Sequence, residues 1–267
     1  MSILPIDNLG TATNKIEQMK IVTWNCNGAL RKKLDIVNTL GADILVVQEC
    51  EDPSLSTNAY KDWAGEYLWV GTSKNKGIGV FPKNGHTVKQ LNWNKTFSIG
   101  ALRSTSASLS WSTSDLKLFL PFTIDDTYTA LGVWTKGSDA EAFGYMGQFW
   151  KYLQLHHEDL SNANTIILGD FNSNAQWDKQ DRWWSHTDVI NELEQMGIKS
   201  LYHTQCNEAQ GQESTPTFYH QRKLAKPYHI DYVFMSKTLI DKSSINTGSV
   251  DTWLEVSDHL PLTVKTK

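Results

Sequence analysis

An acid and an amide two residues apart, at the end of an apolar run, are the chemically suggestive feature of this sequence. In Thr165-Ile-Ile-Leu-Gly-Asp-Phe-Asn172 a short run stops at Gly169 and delivers Asp170 and Asn172. Such a run is a buried strand, and the glycine allows a sharp turn or the close approach of another group to the backbone. Side chains alternate along an extended chain, so the carboxylate and the carboxamide face one small volume. In isolation the pair could equally serve turn hydrogen bonds. Four other stretches end alike: Ile21-Val-Thr-Trp-Asn25, Asp43-Ile-Leu-Val-Val-Gln-Glu49, His229-Ile-Asp-Tyr-Val-Phe234 and Val256-Ser-Asp-His259. Together they offer Asn25, Glu49, Asp170, Asn172, Asp231, Asp258 and His259, a set dominated by oxygen donors. Oxygen donors suit a hard cation, and magnesium in particular uses one or two protein carboxylates and completes its shell with water and phosphate oxygens. The sequence has no Gly-x-Ser-x-Gly elbow, Gly-rich phosphate loop, His-Glu-x-x-His or Cys-x-x-Cys pair, which argues against the chemistries those motifs serve.

The elements that must position these groups can be read in outline. A strand over Lys20 to Trp24 runs into the turn Asn25-Cys-Asn-Gly28, and Leu30, Leu34, Val37 and Leu40 then recur at helical spacing up to Gly41, a C-cap. The strand Asp43 to Glu49 follows, and strand-helix-strand normally makes a parallel pair. Pro53 to Tyr60 reads as loop. From Trp69 to Leu131 the texture is short β-rich runs: 77–81, 97–102, 106–111, 116–124 and 128–134. Ser138-Asp-Ala-Glu141 has the capping-box pattern and opens a helix through about Leu160, whose apolar face is Met146, Phe149, Trp150 and Leu153. A second amphipathic helix spans roughly Thr187 to Met196 and stops at Gly197. The tail returns to strands at 215–219, 229–235, 250–254 and 260–265. Because the polar strand ends come from both the first and last thirds of the chain, residues 19–267 are expected to be one domain behind a loosely attached leader over 1–18. Two packed sheets with helices on their outer faces bury this pattern.

Composition sets the outer limits. The 267 residues are 40% hydrophobic and 20% charged, as in a soluble globular protein. No apolar run approaches the roughly 20 residues of a membrane helix, so no membrane partner is expected. The start, Met-Ser-Ile-Leu-Pro-Ile-Asp, lacks a secretory signal. Cys26, Cys50 and Cys206 have neither metal-ligand nor redox spacing and favour a reducing, cytoplasmic setting. The net charge of -4 argues against a large basic face for gripping duplex nucleic acid, so any basic groove must be local.

Trp24-Asn25, Gln48-Glu49, Gly169-Asp-Phe-Asn172, Ile230-Asp-Tyr-Val-Phe234 and Ser257-Asp-His259, in that order, resemble the signature set of the endonuclease/exonuclease/phosphatase superfamily. That superfamily includes abasic-site endonucleases, pancreatic-type deoxyribonucleases, inositol polyphosphate phosphatases and sphingomyelinases. The resemblance runs from about Met19 to the C-terminus. It implies a four-layer α/β sandwich, two packed mixed sheets flanked by helices, and Mg²⁺- or Mn²⁺-dependent cleavage of a phosphate ester. It assigns Glu49 and Asn25 to the metal, with Asp258 on the metal side. Asp170 becomes the base that takes a proton from the attacking water, and Asn172 orients that water or a phosphoryl oxygen. His259 faces the phosphoryl group, held and kept protonated by Asp231. The sequence departs from the pattern where many relatives carry a histidine or tyrosine on the strand matched by Ala130-Leu-Gly-Val-Trp134: here stand Trp134, Thr135 and Lys136. An indole N–H donates one hydrogen bond but carries no charge. Lys136 either restores that charge or is a solvated loop lysine.

Substrate readings rest on the flanking residues. Arg31, Lys32 and Lys33 follow the Asn25 turn, and Arg222, Lys223 and Lys226 precede the Asp231 strand, so the two clusters could rim one mouth. Clusters of this kind are more often solvated faces. Trp177, Trp183, Trp184, Phe218 and Tyr219 are rings that could stack on unpaired bases or pack against outer helices. Together these features favour a nuclease acting on a single strand or distorted duplex. The alternatives are a phosphatase or phosphodiesterase acting on an inositol phosphate, a lipid headgroup or a small nucleotide, and a binding module on the same scaffold. A binding module has no need of a general base.

Overall fold

The computed structural model describes residues 18–101, 106, 108–137 and 142–267. The expected leader lies outside these residues apart from Gln18, and so does the capping box at 138–141. Two six-stranded mixed sheets form the frame. The first runs Ser243–Thr247, Leu262–Thr266, Met19–Asn25, Ile44–Cys50, Lys76–Pro82, Leu68–Ser73 in spatial order. The second runs Ile198–Ser200, Asp231–Ser236, Thr165–Asp170, Tyr128–Trp134, Phe119–Ile124, Val88–Gln90. Met19–Asn25 and Ile44–Cys50 pair in parallel, as strand-helix-strand required, and Tyr128–Trp134 and Thr165–Asp170 do so in the other sheet.

Alternation along the strands sorts side chains into layers. Ile21, Ile44, Val46, Ile78 and Val80 meet Leu120, Phe122, Ala130, Ile166 and Leu168 between the sheets. Their neighbours Val22, Leu45 and Val47 turn outward onto Leu30, Val37 and Tyr60. On the other side Leu131, Val133 and Ile167 pack against Phe149, Leu153, Val189 and Leu193, from the helices Met146–Leu160 and His186–Gln195. The result is the four-layer α/β sandwich. The same period of two that puts Ile166 and Leu168 between the sheets puts Asp170 there too, at the strand end, as it does Asn25 after Ile21 and Asp231 before Val233. Asp170 lies opposite Asp231 and beside Trp134 in the ladder.

Several elements differ from the sequence reading. Residues 250–254 are not a strand: Val250–Trp253 is a short helix whose Trp253 ring meets Trp24 edge-on at 5.1 Å. The β-branched and aromatic composition that suggests a strand is outweighed there by tertiary packing. The stretch read as loop at 53–60 carries a turn of 3-10 helix, Pro53–Leu55, and the start of a helix, Asn58–Ala64, capped by Thr57. The helix expected over Ala29 to Leu40 is broken into Leu30–Lys32 and Leu34–Asn38. The edge strand Ser243–Thr247 gives little periodic signal because its polar residues leave only Ile245 buried.

Candidate active site

Six side chains form a train across the end of the inter-sheet core, in two hydrogen-bonded groups that face one another across a gap. Asp231 accepts from Nδ1 of His259 at 2.9 and 3.1 Å. Nε2 of His259 faces Oδ2 of Asp170 at 4.0 Å, beyond hydrogen-bond reach. Asp170 Oδ2 accepts from the side-chain amides of Asn25 at 2.8 Å and Asn172 at 2.9 Å, while its Oδ1 takes the Asn172 backbone N–H at 2.9 Å. Asn25 reaches on to Glu49 Oε1 at 3.4 Å.

Local backbone geometry aims these groups. At Gly169, φ is 146° and an added Cβ would stand 1.9 Å from the Val133 carbonyl oxygen, so only glycine lets the two parallel strands close up there. Glu49 occupies a bulge between Gln48 and Cys50 with φ 63°, and Asn172 has φ 46°. Left-handed non-glycine residues cost on the order of 1–3 kcal/mol each, and such strain clusters where a side chain is re-aimed for function. Asp231 is fixed by the Thr217 hydroxyl, which donates to Oδ2 at 2.7 Å. His259 is fixed by three further contacts. Its carbonyl takes the Trp24 indole N–H at 3.0 Å, its N–H goes to Ser257 Oγ at 3.1 Å, and its ring lies 4.5 Å from that of Phe218.

Electrostatics divides the train into an acid and a base. Burial pulls the His259 imidazole down, but Asp231 and Asp170 more than reverse this and hold it at about 9, so it is cationic at neutral pH. Burial pushes Asp170 up to about 7, against the pull of His259 and the Asn25 and Asn172 donors. A carboxyl with a pKa near the working pH is suited to accept and release a proton.

Asp170, Asp231 and His259 bring ligand atoms within 4.8 Å of one another. A protonated imidazole repels a cation, however, and Nδ1 is spent on Asp231, so these three make an ion-pair relay rather than a metal cage. The cation-seeking end is Glu49, whose Oε2 is contacted by the ammonium of Lys76. A carboxylate beside the Asn25 amide offers hard oxygen donors that fit a divalent ion, with which the Lys76 ammonium competes for Oε2.

The remaining expected residues are distributed differently. Trp134 is only 2% exposed and its ring belongs to the inter-sheet core, with the exposed Lys136 ammonium 4.3 Å from the ring centre. The Asp258 carboxylate has no hydrogen-bond partner among the described residues, and its charge adds to the upward pull on His259. Arg31 pairs with Glu51 at 2.7 Å, Arg222 donates to the carbonyls of Glu255 and Val256, and Lys223 bonds Gln221. These three are therefore already engaged, although Arg222 lies near enough to Lys33 to help depress its pKa after burial, so the two basic clusters do adjoin. Thr217 and Lys76 escape sequence reading: neither stands in a motif, and both reach the site only by folding.

The profile of the Endonuclease/Exonuclease/phosphatase family matches residues 22–259, and the chain belongs to this family of phosphate-ester hydrolases. No curated protein sequence matches the chain. Among solved structures, a 3'-5' exonuclease (NExo) from Neisseria meningitidis superposes with a TM-score of 0.61 at 16% identity, over 93% of this chain and 100% of that one. An AP endonuclease from Archaeoglobus fulgidus gives 0.64 at 16% identity, over 93% and 99%. An AP endonuclease from Leishmania major gives 0.63 at 15%, over 94% and 88%. At these identities the likeness is one of fold. No helix among the described residues is long and apolar enough to cross a membrane.

Proposed function

We propose that the protein is a Mg²⁺- or Mn²⁺-dependent nuclease that cleaves DNA or RNA by attack of an activated water on phosphorus, with a single strand or distorted duplex as its substrate. The observation that carries this reading is the 4.0 Å gap between His259 Nε2 and Asp170 Oδ2, a cationic donor and a basic carboxylate facing one another without bonding. A water and a phosphoryl oxygen brought to that gap meet both. Asp170 takes the proton of the water, while Asn172, bonded to it and to the Thr135 carbonyl at 3.1 Å, holds the water's orientation. Nε2 of His259 donates to the phosphoryl oxygen, where charge builds in the transition state, and Asp231 keeps the ring turned and charged. Glu49 and Asn25, with Asp258 nearby, would hold the divalent ion, which when bound supplies Lewis-acid stabilisation of phosphoryl and leaving-group oxygens.

Nucleic acid is the substrate class in the names of the similar structures: two AP endonucleases, an exonuclease, and a Neisseria 3' phosphatase bound to a product DNA hairpin. Purified protein incubated with Mg²⁺ or Mn²⁺ and single-stranded DNA, duplex DNA, RNA and small phosphoesters tests the reading. Metal-dependent cleavage of a nucleic acid, abolished by EDTA, is expected. Activity confined to inositol phosphates or small nucleotides would select the phosphatase alternative, and silence across the panel with metal bound would select a binding role.

A further inference from the structure

A cavity of about 750 Å³ opens directly beyond the catalytic train. Its inner end is Asn172 and Phe218, the first bonded to Asp170 and the second packed against the His259 ring. Trp177 and Tyr228 form an aromatic pair in its wall, 5.3 Å apart, and Trp177 remains 46% exposed. The wall also carries Lys179, Arg182 and Lys226, none of which makes a side-chain ion pair among the described residues. The one acid in the lining, Asp178, spends its oxygens on the backbone N–H groups of His186 and Thr187 at 2.8 and 3.0 Å. An otherwise acidic chain thus gathers unpaired cations and a bare aromatic face at one place, contiguous with its catalytic groups. A ligand that answers both is at once flat, aromatic and anionic, and the volume fits a small organic group.

We propose that this cavity seats one unpaired nucleotide joined to the scissile phosphate, its base stacked on the Trp177–Tyr228 pair and its outer phosphate held among Lys179, Arg182 and Lys226. The proposal rests on the nuclease reading above and sharpens it: recognition requires a base, and not merely a sugar-phosphate, next to the bond that breaks. It also sorts the aromatic residues. Trp177, Trp184 and Phe218 line the cavity, Tyr219 is buried in the outer core of the first sheet, and the exposed Trp183 lies outside the lining.

The test uses short fluorescein-labelled DNA single strands in which one nucleotide in turn is replaced by a tetrahydrofuran abasic residue. Binding to the full chain is followed by anisotropy in EDTA. One abasic position should weaken binding about tenfold, as loss of a base–aromatic stack does. Trp177→Ala should erase that difference, and Trp183→Ala should preserve it. In the same assay Lys179→Ala and Arg182→Ala should each lower the slope of log affinity against log salt by roughly 0.7. Equal binding of abasic and intact strands, a difference that survives in Trp177→Ala, or no binding at all would overturn the proposal. Hydrolysis of bis(p-nitrophenyl) phosphate with Mg²⁺ or Mn²⁺, a diester without a nucleobase, reports separately on the catalytic groups. A cavity that fails while this activity persists is therefore distinguished from a failure of the nuclease reading itself.

Discussion

Two buried clusters of the same side-chain types sit on neighbouring stretches of this chain, and only one has an ionised donor with bonding capacity left over. The proposed catalytic cluster is Asn25, Asp170, Asn172, Asp231 and His259. The second begins two residues after Asn172, with Asn174, whose amide donates to Glu213 at 3.0 Å, to the His229 carbonyl at 2.9 Å and to the Tyr232 hydroxyl at 3.2 Å. Glu213 also takes His203 Nε2 at 3.0 Å and the Gly211 N–H at 2.9 Å. Burial works against its charge, but these hydrogen bonds prevail and hold it at about 2. His186 has both ring nitrogens occupied, by Ser173 and Gln210, and burial pushes it down to about 4. Apart from His229 Nε2, the second cluster is closed on itself. In the catalytic cluster the imidazole goes the other way, up to about 9, and its Nε2 has no hydrogen-bond partner among the described residues. Acids, amides and imidazoles together do not make a site; an ionised donor with an unspent bond, facing a base, does.

That contrast can be broken by mutation. Asp170→Ala and His259→Ala should each lower kcat/KM by about 10²- to 10⁴-fold while the chain still folds. Near-wild-type turnover in either variant would refute the assigned roles. Glu213→Ala should do the reverse. It leaves His203 and Asn174 without their acceptor and should cost about 1–3 kcal/mol in denaturant unfolding, with the rate on bis(p-nitrophenyl) phosphate nearly unchanged. A large loss of rate at full stability would merge the two clusters into one site.

The third prediction concerns pH. A histidine raised to about 9 from 6.5 contributes stability that is fully present below 6.5 and is lost as pH rises through about 9. Asp231→Asn removes the largest upward influence and leaves only Asp170 and Asp258 to oppose burial, so the His259 ring should titrate well below about 9 by NMR. A ring still protonated at pH 8 in that variant would mean that Asp231 is not what charges it. The smallest effect is expected at Glu49. Lys76 is half exposed, and such pairs are worth up to about 1 kcal/mol. Lys76→Met should thus tighten Mg²⁺ or Mn²⁺ binding by at most about fivefold in calorimetry, and weaker binding would indicate that the ammonium supports the metal site.

Much of this was legible before folding was considered. Alternation in 165–172 puts Asp170 on the same face as Ile166 and Leu168, and the five ordered motifs bring in Asn25, Glu49, Asp231 and His259. The long helix at Met146–Leu160 and the one at His186–Gln195 are periodic enough to read. Less legible were the short elements. The Val250–Trp253 helix is held by the contact of its tryptophan with Trp24, and the Ser243–Thr247 strand by a neighbour rather than by its own pattern.

What the residues determined by themselves is which side chains point between the sheets and at which strand ends, because a period of two is a local property of the backbone. Only the tertiary structure decided what those side chains have left to give. Whether Arg31 or Arg182 remains unpaired, whether an imidazole is driven to about 9 or about 4, and whether Trp177 stays bare depend on neighbours distant in sequence. Charge, burial and hydrogen-bond saturation are sums over space, and no pattern along the chain contains them.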